Sequence, residues 1–172
     1  IAPDADILVV DDNAINRRVF RSLLKDTQMR IDEADSGEEC LKKVVNKKYD
    51  LIFLDHMMPG MDGIETLHAF PEQEGNVNLE TPVIALTANA VNGAKEMFLQ
   101  NGFDDFFAKP IMYAKLEKLL QKYLPQNKII EGDVMQSEEQ IRREAEETTQ
   151  IQQRLGTVSE LNLEYAYLYN KT

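Results

Sequence analysis

Short apolar runs and helical patterns alternate along residues 1–125, and this alternation constrains the fold more than any other feature of the chain. Ile7–Val10 and Leu51–Leu54 are strongly apolar runs, another lies at Pro82–Leu86, and a further strand is predicted within Gly102–Ala108. Arg30–Ala34 is more polar, which is typical of a strand near the edge of a sheet. Strands that alternate with helices predict a parallel sheet with helices packed on both faces. We therefore predict an α/β fold, a doubly wound five-stranded parallel sheet of the (βα)5 type.

Local signals place helices between these strands. Ser36 and Glu39 form a capping-box pattern, in which the hydroxyl caps the helix and the glutamate reaches back. A later helix is predicted over residues 91–101 and is followed by a glycine that suits a helix C-terminus. The last helix of this region is predicted to open at Lys109-Pro110.

The composition narrows the classes of function. The 172 residues carry a net charge of −11, which disfavours a protein that mainly binds nucleic acid or anionic membranes. No apolar run approaches the length of a membrane span, and a single cysteine fits a reducing compartment. We therefore expect a cytoplasmic chain that itself contacts neither nucleic acid nor membrane. Its start at Ile1, without a methionine, leads us to expect a piece of a longer polypeptide.

Polar side chains stand where the predicted strands end. Asp11 and Asp12 follow the first strand, Asp55 the third, Thr87 the fourth and Lys109 the fifth. The carboxyl ends of parallel strands meet at one edge of a sheet, so these side chains should converge there. Three carboxylates repel one another, and a hard divalent cation would relieve that repulsion. Magnesium suits a site that offers carboxylates, waters and a phosphoryl oxygen. One carboxylate could then attack phosphorus as a nucleophile.

Four motifs occur in order at these strand ends, namely ILVVDDN, LIFLDHMMPGMDG, PVIALTANA and FFAKP. Together they resemble the receiver domain of two-component response regulators, and the resemblance covers residues 6–124. It implies a flavodoxin-like fold and a switch that catalyses its own phosphorylation and dephosphorylation. The phosphoryl group would come from a phosphohistidine on a histidine kinase or on a histidine phosphotransfer domain.

The resemblance implies a role for each acidic residue of the site. Asp55 would be the phosphoacceptor and would also bind the metal. Asp12 would bind magnesium directly, with Asp11 assisting through water. The backbone carbonyl of Met57 would complete the metal site.

The resemblance also implies a switch. Thr87 and Lys109 would contact the phosphoryl group, and the Lys109-Pro110 peptide bond would be cis. After phosphorylation the Thr87 hydroxyl would move toward the phosphate and the Phe106 ring would turn inward. The face formed by the fourth helix, fifth strand and fifth helix would then change its preference for partners, a population shift driven by the new charge.

Two residues would tune the lifetime of the phosphorylated state. Met57 and Asn89 would flank the path of the attacking water, and an apolar Met57 cannot hydrogen-bond that water. We therefore expect no strong acceleration of dephosphorylation. His56, although adjacent to Asp55, is expected to point away from the site or into solvent.

Other functions fit the sequence less well. A haloacid-dehalogenase-like phosphatase also uses an aspartate at a strand end, but it requires a second acid two residues later, where this chain has Met57. A pseudo-receiver that acts only as a scaffold would not need the intact acidic pocket. A stand-alone response regulator whose tail dimerises is the third alternative, and the oligomeric state stays open.

The domain organisation is predicted in four parts: a linker at residues 1–5, the receiver domain at 6–125, a linker at 126–136 and a helical extension at 137–172. The parent protein is expected to be a hybrid sensor histidine kinase, of which a membrane-anchored sensor is one form. The extension could be the start of a histidine phosphotransfer domain, although no histidine follows His68.

Overall fold

The computed structural model describes residues 1–88 and 93–130, and strand and helix alternate throughout this part. The strands are β1 Asp6–Val10, β2 Arg30–Ala34, β3 Leu51–Asp55, β4 Val83–Thr87 and β5 Asp105–Ala108. The helices are α1 Ala14–Leu23, α2 Gly37–Asn46, α3 Gly63–His68, α4 Ala94–Gln100 and α5 Tyr113–Tyr123. The chain divides into two units, Ile1–Gly132 and Asp133–Thr172. The predicted extension at 137–172 therefore lies outside the described residues.

All five strands form one parallel sheet in the order β2-β1-β3-β4-β5. This confirms the predicted doubly wound sheet and places the polar strand β2 at an edge. The register pairs Val10 with Leu54, Asp55 with Leu86, and Thr87 with Ala108. The carboxyl ends of β1, β3, β4 and β5 therefore reach the same edge of the sheet.

The sheet separates two apolar cores. Alternate residues of β1 and β3 face opposite sides, which is why both strands are continuously apolar. One core contains Phe20 of α1 and Leu116 of α5, and the other contains Val44 of α2 and Phe98 of α4. Cys40 is fully buried in the second core.

The helix starts follow the predicted capping chemistry with one change. The Ser36 hydroxyl accepts from the Glu39 N–H at 3.2 Å, but the Glu39 carboxylate reaches one residue farther back, to the Asp35 N–H at 2.8 Å. A complete capping box instead opens α3, between Asp62 and Glu65. The α3 box was not recognised from the sequence.

The last helix begins later than predicted. It starts at Tyr113, because Met112 before it is extended, with φ −104° and ψ 129°. The helix predicted over residues 91–101 is observed as α4, which begins at Ala94 after Gly93, and residues 91–92 lie outside the described part. Gly102 follows it with a φ of +97°, as a glycine at a helix C-terminus often does.

The segments predicted as linkers contact the domain. The Ile130 N–H donates to the Ile1 carbonyl at 2.8 Å, and the Lys128 ammonium lies 2.8 Å from Asp50 Oδ2. Ala2 and Ala5 are buried. Within residues 1–88 and 93–130, no helix is both long and apolar enough to cross a bilayer.

Candidate functional site

The predicted polar residues meet at the carboxyl edge of the sheet. Asp11 and Asp12 follow β1, Asp55 ends β3 and Thr87 ends β4. One carboxylate oxygen from each of the three aspartates lies within 4.8 Å of the others. Asp11 and Asp55 are buried whereas Asp12 is exposed, so solvent and ligands reach the cluster from the Asp12 side.

Lys109 lies between two of these carboxylates. Its Nζ is 2.8 Å from Asp11 Oδ2 and 2.9 Å from Asp55 Oδ2. Burial by itself would lower the pKa of Lys109, but the hydrogen bonds to Asp11 and Asp55 outweigh burial and raise it. Lys109 therefore stays charged and partly neutralises the acidic cluster.

Asp55 is destabilised as an anion. Burial raises its pKa, Lys109 acts in the opposite direction, and the neighbouring negative charge of Asp11 raises it further. A cation bound among the three carboxylates would relieve this crowding. The donors are all oxygens, which suits a hard divalent ion, so Asp11, Asp12 and Asp55 fit a metal site.

Asp11 is held by residues that the sequence reading missed. The Asn13 N–H donates to its Oδ1 at 2.9 Å, and the Asn16 amide donates to Oδ1 at 3.2 Å and Oδ2 at 3.1 Å. Arg17 Nη1 donates to the Asp11 carbonyl at 2.6 Å. Asn13 contributes only its backbone N–H, so the available signal is the amide side chain of Asn16 in the first turn of α1.

The loop after Asp55 is fixed by short backbone contacts. The Met57 N–H donates to Asp55 Oδ1 at 3.2 Å, and the Gly63 N–H donates to the His56 carbonyl at 3.1 Å. A Cβ at Gly63 would overlap the backbone oxygen of Asp55 and lie 2.9 Å from the His56 Cα. A glycine is therefore needed at the start of α3.

His56 turns into the protein rather than into solvent. Its ring packs edge-on against Phe98, with 5.2 Å between centroids. Its Nδ1 is buried and has no hydrogen-bond partner among the residues that the structure describes. This placement agrees with the expectation that His56 does not take part in the acidic site, although the packing against α4 was not foreseen.

Of the predicted switch residues, Thr87 ends β4 at the site and Phe106 packs against α4. Thr87 is buried at the end of β4, and its carbonyl accepts from the Lys109 N–H at 2.7 Å. The Phe106 ring is half-buried and stacks on Phe98 with 6.2 Å between centroids. The Lys109-Pro110 peptide bond is cis, the conformation that the resemblance implies. Asn89 lies outside the described residues.

Comparisons with known proteins agree with this geometry. The family model of the response regulator receiver domain matches residues 7–121. Signal transduction histidine-protein kinase BarA of Escherichia coli (strain K12) is 39% identical over 122 residues, which is 69% of this chain and 13% of that kinase. Transcriptional regulatory protein ResD of Bacillus subtilis (strain 168) is 41% identical over 107 residues, 62% of this chain and 42% of that regulator. The chain thus spans less than half of either relative.

Among solved structures, the receiver domain of sensor histidine kinase PA1611 from Pseudomonas aeruginosa PAO1 has a TM-score of 0.61 and 34% sequence identity. The match covers 69% of this chain and 96% of that domain. That domain was crystallised with a magnesium ion coordinated in its active-site cleft.

Proposed function

The chain belongs to the response regulator receiver domain family, and on that basis we propose that Asp55 accepts a phosphoryl group with magnesium bound beside it. One observation carries the proposal. One carboxylate oxygen from each of Asp11, Asp12 and Asp55 lies within 4.8 Å of the others. Lys109 contacts the carboxylates of Asp11 and Asp55. This arrangement combines a nucleophile, a cation site and a fixed positive charge.

In the proposed step, an Asp55 oxygen attacks phosphorus in line with the nitrogen of a phosphohistidine. The new O–P bond forms as the P–N bond breaks, and the released imidazole nitrogen takes up a proton. Lys109 holds one phosphoryl oxygen and the Thr87 hydroxyl donates to another. Asp12 and Asp11 would hold the magnesium ion, which when bound neutralises charge on the transferred group. Hydrolysis by water later restores the Asp55 carboxylate.

The donor of the phosphoryl group is proposed to be a histidine kinase or a histidine phosphotransfer domain. Two apolar side chains flank the acidic residues in the sequence and are exposed, Ile15 at 40% and Met57 at 67%. Exposed apolar side chains beside a charged cleft suit a partner that must bring a histidine to Asp55. The Met57 side chain also offers no polar group to an attacking water, so we expect no strong acceleration of dephosphorylation.

The parent protein is proposed to be a hybrid sensor histidine kinase in which this chain is the cytoplasmic receiver. The similarity to BarA supports this choice. The similarity to ResD supports the alternative, a response regulator with its own output domain. In either parent, phosphorylation would change the partner preference of the face that α4, β5 and α5 form, which contains Phe106.

The direct test is incubation with magnesium and acetyl phosphate, followed by mass spectrometry of the intact protein. We expect the mass of one phosphoryl group to be added to the wild type and not to Asp55→Asn. Asp26→Asn, a change at an exposed residue in the turn after α1, is the matched control and should be labelled like the wild type. A wild-type protein that takes no phosphoryl group would support the scaffold function instead.

A further inference from the structure

We propose that Asn16 of α1 is a positioning residue of this site, because its amide fixes the orientation of the buried Asp11 carboxylate. The inference rests on the proposed function and adds a residue to it. The Asn16 Nδ2 lies 3.2 Å from Asp11 Oδ1 and 3.1 Å from Oδ2, so a single amide contacts both oxygens.

Three donors contact the Asp11 carboxylate and between them reach both of its oxygens. Asn13 N–H and Asn16 Nδ2 occupy Oδ1, and Asn16 Nδ2 and Lys109 Nζ occupy Oδ2. Asp11 is fully buried, so no bulk water can replace a donor that is lost. Asp12 is exposed and has the freer carboxylate for direct binding of a metal.

An asparagine suits this position for a physical reason. A lysine or arginine would bring a second positive charge to Asp11 and would compete with Lys109 and with the metal. The neutral amide satisfies the carboxylate oxygens and leaves the negative charge of Asp11 available to the cluster.

The same helix also fixes the backbone of Asp11. Arg17 donates to the Asp11 carbonyl at 2.6 Å, and its Nε lies 3.2 Å from Glu33 of β2. Consecutive residues of α1 thus hold the main chain and the side chain of Asp11. Without the Asn16 amide, Asp11 would keep the Asn13 N–H and Lys109, and its carboxylate would be free to turn toward Lys109. The magnesium site would then lose its preset geometry.

The test compares Asn16→Leu, which has a similar size and no donor, with Asn46→Leu. Asn46 is an exposed residue at the end of α2 whose amide donates to the Lys42 carbonyl, so the control removes a helix-surface amide outside the site. We expect the magnesium dissociation constant, measured by calorimetry, to rise about tenfold in Asn16→Leu, within the range for residues that orient metal ligands. Asn46→Leu should bind magnesium like the wild type.

Two further measurements separate positioning from stability. In Asn16→Leu, labelling by acetyl phosphate should reach half its maximal rate at a higher magnesium concentration than in the wild type. The rate should recover when magnesium is saturating. Asn16→Gln, which keeps the amide, should restore most of the affinity, and it also serves if the leucine variant does not fold. The inference would be overturned if Asn16→Leu bound magnesium as tightly as the wild type. It would also be overturned if Asn16→Gln bound magnesium no more tightly than Asn16→Leu. A wild type that is not labelled at any magnesium concentration would instead overturn the proposed function.

Discussion

Single residues set the chemistry at the carboxyl edge of the sheet. Asp55 is buried and its pKa is raised by burial and by Asp11, while Lys109 opposes that effect. The site therefore keeps negative charges in an arrangement that is unfavourable until a cation occupies it. Uncharged residues also maintain this arrangement. Asn16 contributes an amide donor, and Gly63 has no side chain to push the Asp55 loop away.

Gly63→Ala is expected to damage both stability and phosphorylation. The added Cβ would overlap the Asp55 carbonyl, so the start of α3 and the Asp55 loop must move apart. Overpacking of this kind costs about 1–3 kcal/mol. Urea unfolding measures the stability, and labelling by acetyl phosphate reports on Asp55.

Gly75→Ala is the control for that substitution. A Cβ at Gly75 would meet no atom within 4 Å, but φ there is +78°, so the change should cost about 1 kcal/mol and leave labelling intact. Equal labelling of the Gly63 and Gly75 variants would show that the close approach of α3 to Asp55 is unimportant.

At the scale of elements, ion pairs join the amino ends of β1 and β2 on the edge opposite the site. Arg30 of β2 contacts Asp6 of β1 at 2.7 Å, and Lys47 after α2 contacts the same carboxylate at 2.8 Å. Tyr49 and Lys47 both contact Asp32 of β2. An edge strand with few apolar residues is therefore attached to the sheet by charge as well as by its backbone ladder.

This network predicts a pH dependence of stability. Hydrogen bonds from Arg30, opposed by burial and assisted by Lys47, lower the pKa of Asp6 to about 2. A lowered folded-state pKa stabilises the protein above the usual aspartate pKa, and this contribution is lost as the pH falls through about 2. Because Arg30 is 53% exposed, solvent screening reduces the contribution to about 1 kcal/mol.

Asp6→Asn should therefore be less stable than the wild type by about 1 kcal/mol at pH 7, and the difference should shrink between about pH 4 and pH 2. Urea unfolding across this range measures it. Asp26→Asn is the comparison, with no such pH-dependent difference expected. A constant difference from pH 7 to pH 2 would contradict the assignment.

At the scale of the whole described unit, residues near its C-terminal end pack against the rest of the domain. Ile129 packs against the core that contains Phe20 and Leu116, and Lys128 pairs with Asp50, which also accepts from the Asp6 N–H. Residues 126–130 thus take part in the packing of the domain. They are the first five residues of the linker that the sequence predicts over 126–136.

Truncation tests this boundary. A chain of residues 1–130 should unfold in one cooperative transition and should be labelled by acetyl phosphate. A chain of residues 1–124 should be less stable by about 1–3 kcal/mol, because it loses the Ile129 packing and the Lys128 ion pair. Equal stability of the two would support the predicted boundary at 125. Solution masses with and without residues 131–172 would also show whether the tail dimerises.

The alternation of apolar runs and helical patterns was sufficient to predict the parallel sheet and its polar edge strand. The convergence of Asp11, Asp55, Thr87 and Lys109 followed from it, because parallel topology brings the carboxyl ends of strands together whatever the detailed packing. Local periodicity and strand-end chemistry are properties of short segments, so a sequence displays them directly.

Other features depend on how the helices pack on the sheet. The contact of Asn16 with Asp11 requires the position of α1 relative to β1, and the need for glycine at Gly63 requires the closeness of α3 to Asp55. The packing of His56 against Phe98 joins a strand end to a helix more than forty residues away in the chain. These contacts depend on distances that side-chain packing sets in three dimensions, so a residue type can suggest such a contact but does not fix the distance.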